Sequence, residues 1–207
     1  MAGGNLQPEQ IASSKDKQIV WRQKLIEMEH IRDGMGKGLD PHIKETVAVL
    51  QLLGLHTQQS CQGHIDHGVA APWIDIQSPD SRLQDFYRIY GELSHTADEL
   101  EDGSEEAYAV HDEMNAMSKE IDRIEALEYK KLIPYLEAFY QGRSVSYEHR
   151  LILSPTGRLT CQGAFLQPAE KKETQAARLK EYQEEISPFA PSISHFLNFK
   201  LPVERST

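Results

Sequence analysis

Apolar residues in the middle of the chain recur at steps of three and four. Leu83, Phe86, Tyr90, Leu93, Ala97 and Leu100 form one such stripe, opened by Ser78-Pro79-Asp80 as a helix start. After the polar break Glu101-Asp102-Gly103-Ser104, a second stripe runs through Val110, Met114, Met117, Ile121 and Ile124. Two amphipathic stretches joined by so short a turn predict an antiparallel helical hairpin. The stripe lapses at Glu128 and resumes one place out of step at Leu132, Leu136 and Phe139, and Pro134 predicts a kink or an end to the regular helix. Such stripes make core, or a face for a partner or a second copy of the chain, so a homodimer through the hairpin is one expectation.

Before the hairpin, a frayed tail over residues 1–7 precedes a helix expected from Pro8 or Lys15 to Asp33, carrying Trp21, Leu25 and Met28. It stops at Gly34-Met35-Gly36-Lys37-Gly38. This run follows a helix rather than a strand and lacks the G-x-x-x-x-G-K-[ST] spacing, so it reads as a flexible turn whose Lys37 reaches a neighbouring site, not as a phosphate loop. Asp40-Pro41 starts a second helix with Ile43, Val47 and Leu50 inside and Gly54 as its stop. Alternation then predicts strands at residues 55–60 and 73–77, and a strand hairpin at 149–153 and 158–161 about the turn Ser154-Pro155-Thr156-Gly157. Pro168 opens a charged helix with Ala176, Leu179, Gln183 and Ile186 on one side. Pro188 and Pro191 break it before a short helix bearing Ile193, Phe196 and Leu197. The expected fold is α/β (α+β): a small sheet packed by helices, with residues 8–78 and 142–207 as the core domain and 79–141 as the hairpin inserted in it.

A net charge of -10 over 207 residues argues against nucleic acid as a partner, because phosphate binding needs clustered Lys and Arg. No apolar run is long enough to span a membrane, and Met1-Ala2-Gly3-Gly4-Asn5 lacks the features of a signal peptide. The two cysteines, Cys61 and Cys161, form no disulfide framework, so the expected location is cytoplasmic. A single bridge between them stays open. Cys61-Gln62-Gly63 recurs as Cys161-Gln162-Gly163, each after a predicted strand, which would put both corners at one edge of the sheet.

The candidate chemistry gathers between Thr57 and Gly68, where one thiol, two imidazoles and a carboxylate share twelve residues. Cys61, His64 and His67, spaced C-x2-H-x2-H, offer ligands for zinc or another divalent metal, with oxygen from Asp66 or Asp75. Alternatively Cys61 is a nucleophile and His64 its base. In a third reading Ser60, Gln62, Gly63 and His64 cradle a small polar or anionic ligand against Trp73, with Lys37, Arg150 and Arg158 as charge partners. In a fourth the loop only joins two strands. Binding or processing of a small-molecule ligand at the Ser60–His67 loop is the leading expectation; an interaction protein acting through the hairpin is the competing one.

The run Asp40, Ile43, Val47, Leu50, Gly54, Thr57, Ser60-Cys61-Gln62-Gly63-His64, Asp66-His67-Gly68, Pro72-Trp73-Ile74 and Ile76 resembles a group of small bacterial proteins of uncharacterised function marked by S-C-[EQ]-G-H. This resemblance covers residues 33–77 and implies no activity. The corner is more weakly similar to the tRNA wybutosine-synthesis methyltransferase family, whose S-C-S-G-R motif is matched at Ser60, Cys61 and Gly63 and departed from at Gln62 and His64. That likeness implies an α/β domain with a ligand site here and makes S-adenosylmethionine a candidate ligand. The missing Arg and the net charge of -10 count against a tRNA substrate.

Overall fold

The computed structural model describes residues 14–169 and 171–194. Its centre is a four-stranded antiparallel sheet in the order β1-β2-β4-β3, with β1 at Thr57–Cys61, β2 at Trp73–Ile76, β3 at Leu151–Leu153 and β4 at Arg158–Cys161. The helices are α1 (Ser14–His30), α2 (Pro41–Leu52), α3 (Arg82–Glu99), α4 (Glu105–Tyr129), α5 (Ile133–Tyr140), α6 (Lys172–Ile186) and α7 (Phe189–Ser194). The α+β class read from the sequence is the class observed. No helix among the described residues is long and apolar enough to cross a membrane.

The two-residue period of the strands sends Ile74, Ile76, Leu151, Leu159 and Cys161 into one core. Trp21 and Met28 of α1, Val47 and Leu50 of α2, Leu136 and Phe139 of α5, Tyr182 and Ile186 of α6, and Phe189 and Ile193 of α7 pack into it. Each such aliphatic or aromatic side chain taken fully from water contributes about 1.5–3 kcal/mol, which is what holds four short strands together. The opposite face of the sheet carries Trp73, Asp75, Arg158 and Thr160 in facing register.

The hairpin forms as its period predicts. Ser104 caps α4 by accepting the Ala107 N–H at 3.1 Å, and α3 and α4 pack along their lengths. Leu83, Ile121 and Ile124 make a separate small cluster at its base with Phe86 and Met117. Farther out, Leu93, Ala97, Val110 and Met114 are only half-buried, because two helices cover each stripe from one side. Tyr129, Leu132, Leu136 and Phe139, which the expected boundary at 141 assigned to the hairpin, belong to the main core. The chain tightens into a 3-10 turn at Lys130–Leu132 and Pro134 then lies in the first turn of α5, so the break in the stripe marks where hairpin gives way to core.

Several boundaries differ from expectation. Leu55 ends α2 rather than starting a strand: its N–H donates to Leu50 O, across Gly54 at φ +79°. Pro168 lies in a 3-10 stretch, Gln162–Ala169, and α6 begins only at Lys172. Phe196, Leu197 and residues 1–13 lie outside the described residues.

Candidate functional site

Cys61 ends β1, and its partner across the ladder is Trp73. Asp40 stands just before α2 in an extended conformation, yet its carboxylate does not cap the helix. It turns instead to the Cys61–His64 corner. Oδ2 accepts the Gln62 N–H at 3.0 Å and lies 3.9 Å from His64 Nε2; Oδ1 lies 3.2 Å from Lys37 Nζ. The glycine-rich turn delivers that lysine: the Asp33 carboxylate accepts the N–H groups of Met35 and Lys37, and Arg32 pairs with Gly38 across the turn.

The result is a cluster in which the Asp40 carboxylate, the Cys61 thiol and the His64 imidazole have donor atoms all within 4.8 Å of one another. His67 is not part of it. Its ring is exposed and stacks on His64, with centroids 4.4 Å apart and planes 17° apart. Asp66 points outward to Lys172, and Asp75 is held by Arg158. Of the sequence-derived metal set, two residues converge and Asp40 supplies the third.

Burial sets the proton affinities. Asp40 is 9 % exposed. Burial alone would raise its carboxyl, but the Gln62 N–H and the Lys37 ammonium outweigh that and hold it below its ordinary value. Burial pushes the Cys61 thiol up; the Gly63 N–H, 3.4 Å from Sγ, opposes the shift, and the Asp40 carboxylate adds to it. The resting group is therefore a thiol. That weakens the nucleophile reading, which needs a thiolate near neutral pH.

A cleft of about 400 Å³ adjoins the cluster. Lys37 and Asp40 line it together with Arg32, Ser60 and Trp73. Arg158 does not reach in as a free cation: its guanidinium forms a two-point pair with Asp75 at 2.6 and 2.8 Å and lies 4.1 Å from the centroid of the Trp73 ring. It braces the cleft wall. Arg150 belongs elsewhere, donating to Val145 O and lining a separate depression beside Tyr140 and Tyr147.

Both Cys-Gln-Gly corners do lie at the same end of the sheet, where β1 and β4 end in parallel. The register Cys61–Trp73–Thr160 puts Cys61 opposite the residue before Cys161, so the two thiols point to opposite faces and both are free. Their glycines share a task. A Cβ on Gly63 would fall 2.5 Å from Leu179 Cδ1, and one on Gly163 would fall 2.2 Å from Tyr182 Oη. Both corners seat α6, and Gln183 Nε2 donates to Gln62 O at 2.9 Å to fix the first.

Asp40 carries no signal in the sequence for joining this cluster, because its place before Pro41 already accounts for it as a helix start. Comparison with protein-family models, with curated proteins and with solved structures gave no match.

Proposed function

We propose that Asp40, Cys61 and His64 hold a divalent metal ion and present it to a small anionic ligand in the adjoining cleft. The observation that carries this reading is the convergence of three different donor types, from the start of α2 and both sides of the Gly63 turn, within 4.8 Å. Zinc suits a mixed thiolate, imidazole and carboxylate set, and three protein ligands leave a position for water or an anion. Gln62 N–H and Lys37 hold the Asp40 carboxylate in place as outer partners of a metal site do. Lys37 and Arg32 give the cleft its cations, and Trp73, braced by Arg158, gives it a flat wall. The chemistry open to such a site is polarisation of a bound carbonyl or phosphoryl group, or activation of a water.

Cobalt(II) added to the chelator-treated protein tests the ligand set. Thiolate-to-cobalt absorption in the near ultraviolet should appear in the parent and in His67→Ala and vanish in Cys61→Ala. Loss in His67→Ala with retention in Asp40→Ala would replace this ligand set by the C-x2-H-x2-H one.

A second reading concerns the hairpin. Its outer stripe residues Leu93, Val110 and Met114 are half-buried, which favours a second copy covering them in a four-helix arrangement. A sedimentation mass independent of concentration and equal to one chain would remove this reading.

A further inference from the structure

We propose that the cavity between the base of the hairpin and the β3–β4 turn binds a small alkylammonium ion, held by Glu125 and Asp122. Helical spacing builds this cavity. Tyr87 and Tyr90 lie three apart on α3, and Asp122 and Glu125 lie three apart on α4, so the two packed helices turn one face each into the same space. Gln77, just after β2, and Pro155 and Thr156 of the strand turn close it, leaving about 290 Å³.

Glu125 sets this cavity apart in a chain whose net charge is -10 and whose surface carries many carboxylates. Among the described residues, every other buried or half-buried carboxylate has a Lys or Arg in salt-bridge reach. Lys37 serves Asp40, Arg158 serves Asp75, Lys131 serves Glu128 and Arg143 serves Glu185. The same holds for Asp80, Glu120 and Glu148, which face Arg82, Arg123 and Arg178. Glu125 is half-buried and has only neutral donors, the Ser78 N–H at 2.6 Å on Oε2 and the Tyr87 hydroxyl at 3.3 Å on Oε1. A carboxylate withdrawn from water costs free energy unless a counter-charge goes with it. No Lys or Arg lines the cavity to supply one, and Asp122, exposed beside Glu125, adds a second negative charge. Burial and these two carboxylates push the Tyr87 phenol up, so it stays a hydrogen-bond donor.

The missing counter-charge comes with a ligand, and the lining selects its kind. A hard metal ion needs a fuller shell of donors. Among the described residues, Asp122 and Glu125 belong to no group of three His, Cys or acidic ligand atoms within 4.8 Å of one another. An ammonium group needs only the carboxylates and neutral acceptors such as Gln77 and Thr156, while Tyr90, Ile121 and Pro155 offer apolar surface to its carbon chain. Tyrosine rings also attract a cation over their faces. None of these residues lines the cleft beside Asp40, so the inference stands apart from the metal reading.

The test titrates the full, chelator-treated chain with n-butylammonium chloride and follows backbone amide resonances. Saturable shifts are expected at Tyr90, Ile121 and Thr156, and uncharged 1-butanol should give none of comparable size. Asp122→Asn with Glu125→Gln should weaken binding about tenfold, as loss of hydrogen bonds to a charged group does. Asp112→Asn with Glu113→Gln removes the same charge from an exposed part of α4 and should leave binding unchanged. If the first pair melts early, Asp122→Asn alone, at an exposed position, reads the loss. Lysine blocked at both backbone ends carries the same butylammonium group and should bind more weakly, since its two amides must also be accommodated. The proposal is overturned if butylammonium gives no saturable shift, if butanol shifts the same amides equally, or if the Asp112/Glu113 pair weakens binding as much. Tighter binding of the blocked lysine would also overturn it, by making the cation a side chain of another protein.

Discussion

Gly63 is the tightest point of the candidate site, and the cost of filling it follows from the structure. It sits at φ +89° between Cys61 and His64, and a Cβ there would meet Leu179 Cδ1 at 2.5 Å and the backbone of Ala71 at 2.8 and 2.9 Å. Leu179 has rotamers to spare, but Ala71 is buried backbone leading into β2 and has nowhere to go. Gly54 makes a matched control, with φ +79° and nothing within 4 Å of an added Cβ. Gly54→Ala should carry the left-handed backbone cost alone, about 1–2 kcal/mol. Gly63→Ala should carry the same cost plus overpacking of about 1–3 kcal/mol. In a chain of this length each kcal/mol moves Tm by about 2–4 °C, so Gly63→Ala should melt about 2–12 °C below Gly54→Ala. Thermal unfolding followed by far-ultraviolet circular dichroism, with urea titrations to check the order, measures the difference. Equal shifts in the two variants would refute the close seating of the corner under α6 and against residue 71.

Three further outcomes follow from the same contacts. Glu128 is buried, which alone would raise its carboxyl, but Lys131 and His56 outweigh that and hold it below its ordinary value of 4.5. A carboxyl depressed on folding adds stability that is present above its unfolded pKa and lost as pH falls through the folded one. The urea midpoint of the parent should therefore fall below about pH 4.5 more steeply than that of Glu128→Gln; parallel curves would contradict this. A double-mutant cycle on Arg158→Ala and Asp75→Ala should return a coupling of about 1 kcal/mol in urea unfolding, the upper end for a partly exposed pair, and a value near zero would remove the brace from Trp73. Alkylation of Cys61 by iodoacetamide in metal-free protein should accelerate only above its ordinary pKa of 9.0, with Cys161 silent until unfolding; rapid reaction of Cys61 at pH 7 would restore the nucleophile reading.

Much of the fold was legible because single stretches carry their own signals. The three-and-four spacing of Leu83 to Leu100 and of Val110 to Ile124 needs only local geometry to become α3 and α4. The turn Ser154-Pro155-Thr156-Gly157 likewise placed β3 and β4, with Ser154 N–H donating to Arg158 O at 2.8 Å. The slip in period near Glu128 was visible, but its meaning was not: that Tyr129 and Leu132 leave the hairpin for the core depends on partners far along the chain. The site was half legible for the same reason. Cys61 and His64 are neighbours in sequence, whereas Asp40 reaches them from before α2. Arg158 looked like a free cation until its partner, Asp75, was placed opposite it by the β2–β4 register. Sequence spacing also favoured His67, whose ring turns to stack on His64 instead of joining the donors.

A metal ion held by Asp40, Cys61 and His64 would show in the metal content of the purified protein. Protein purified without added metal or chelator is compared by elemental analysis with the Cys61→Ala/His64→Ala double variant and with Asp40→Ala. Close to one divalent ion, zinc foremost, is expected per parent chain, with near zero in the double variant and a marked loss in Asp40→Ala. A parent that carries no metal and takes up none from micromolar zinc would contradict it.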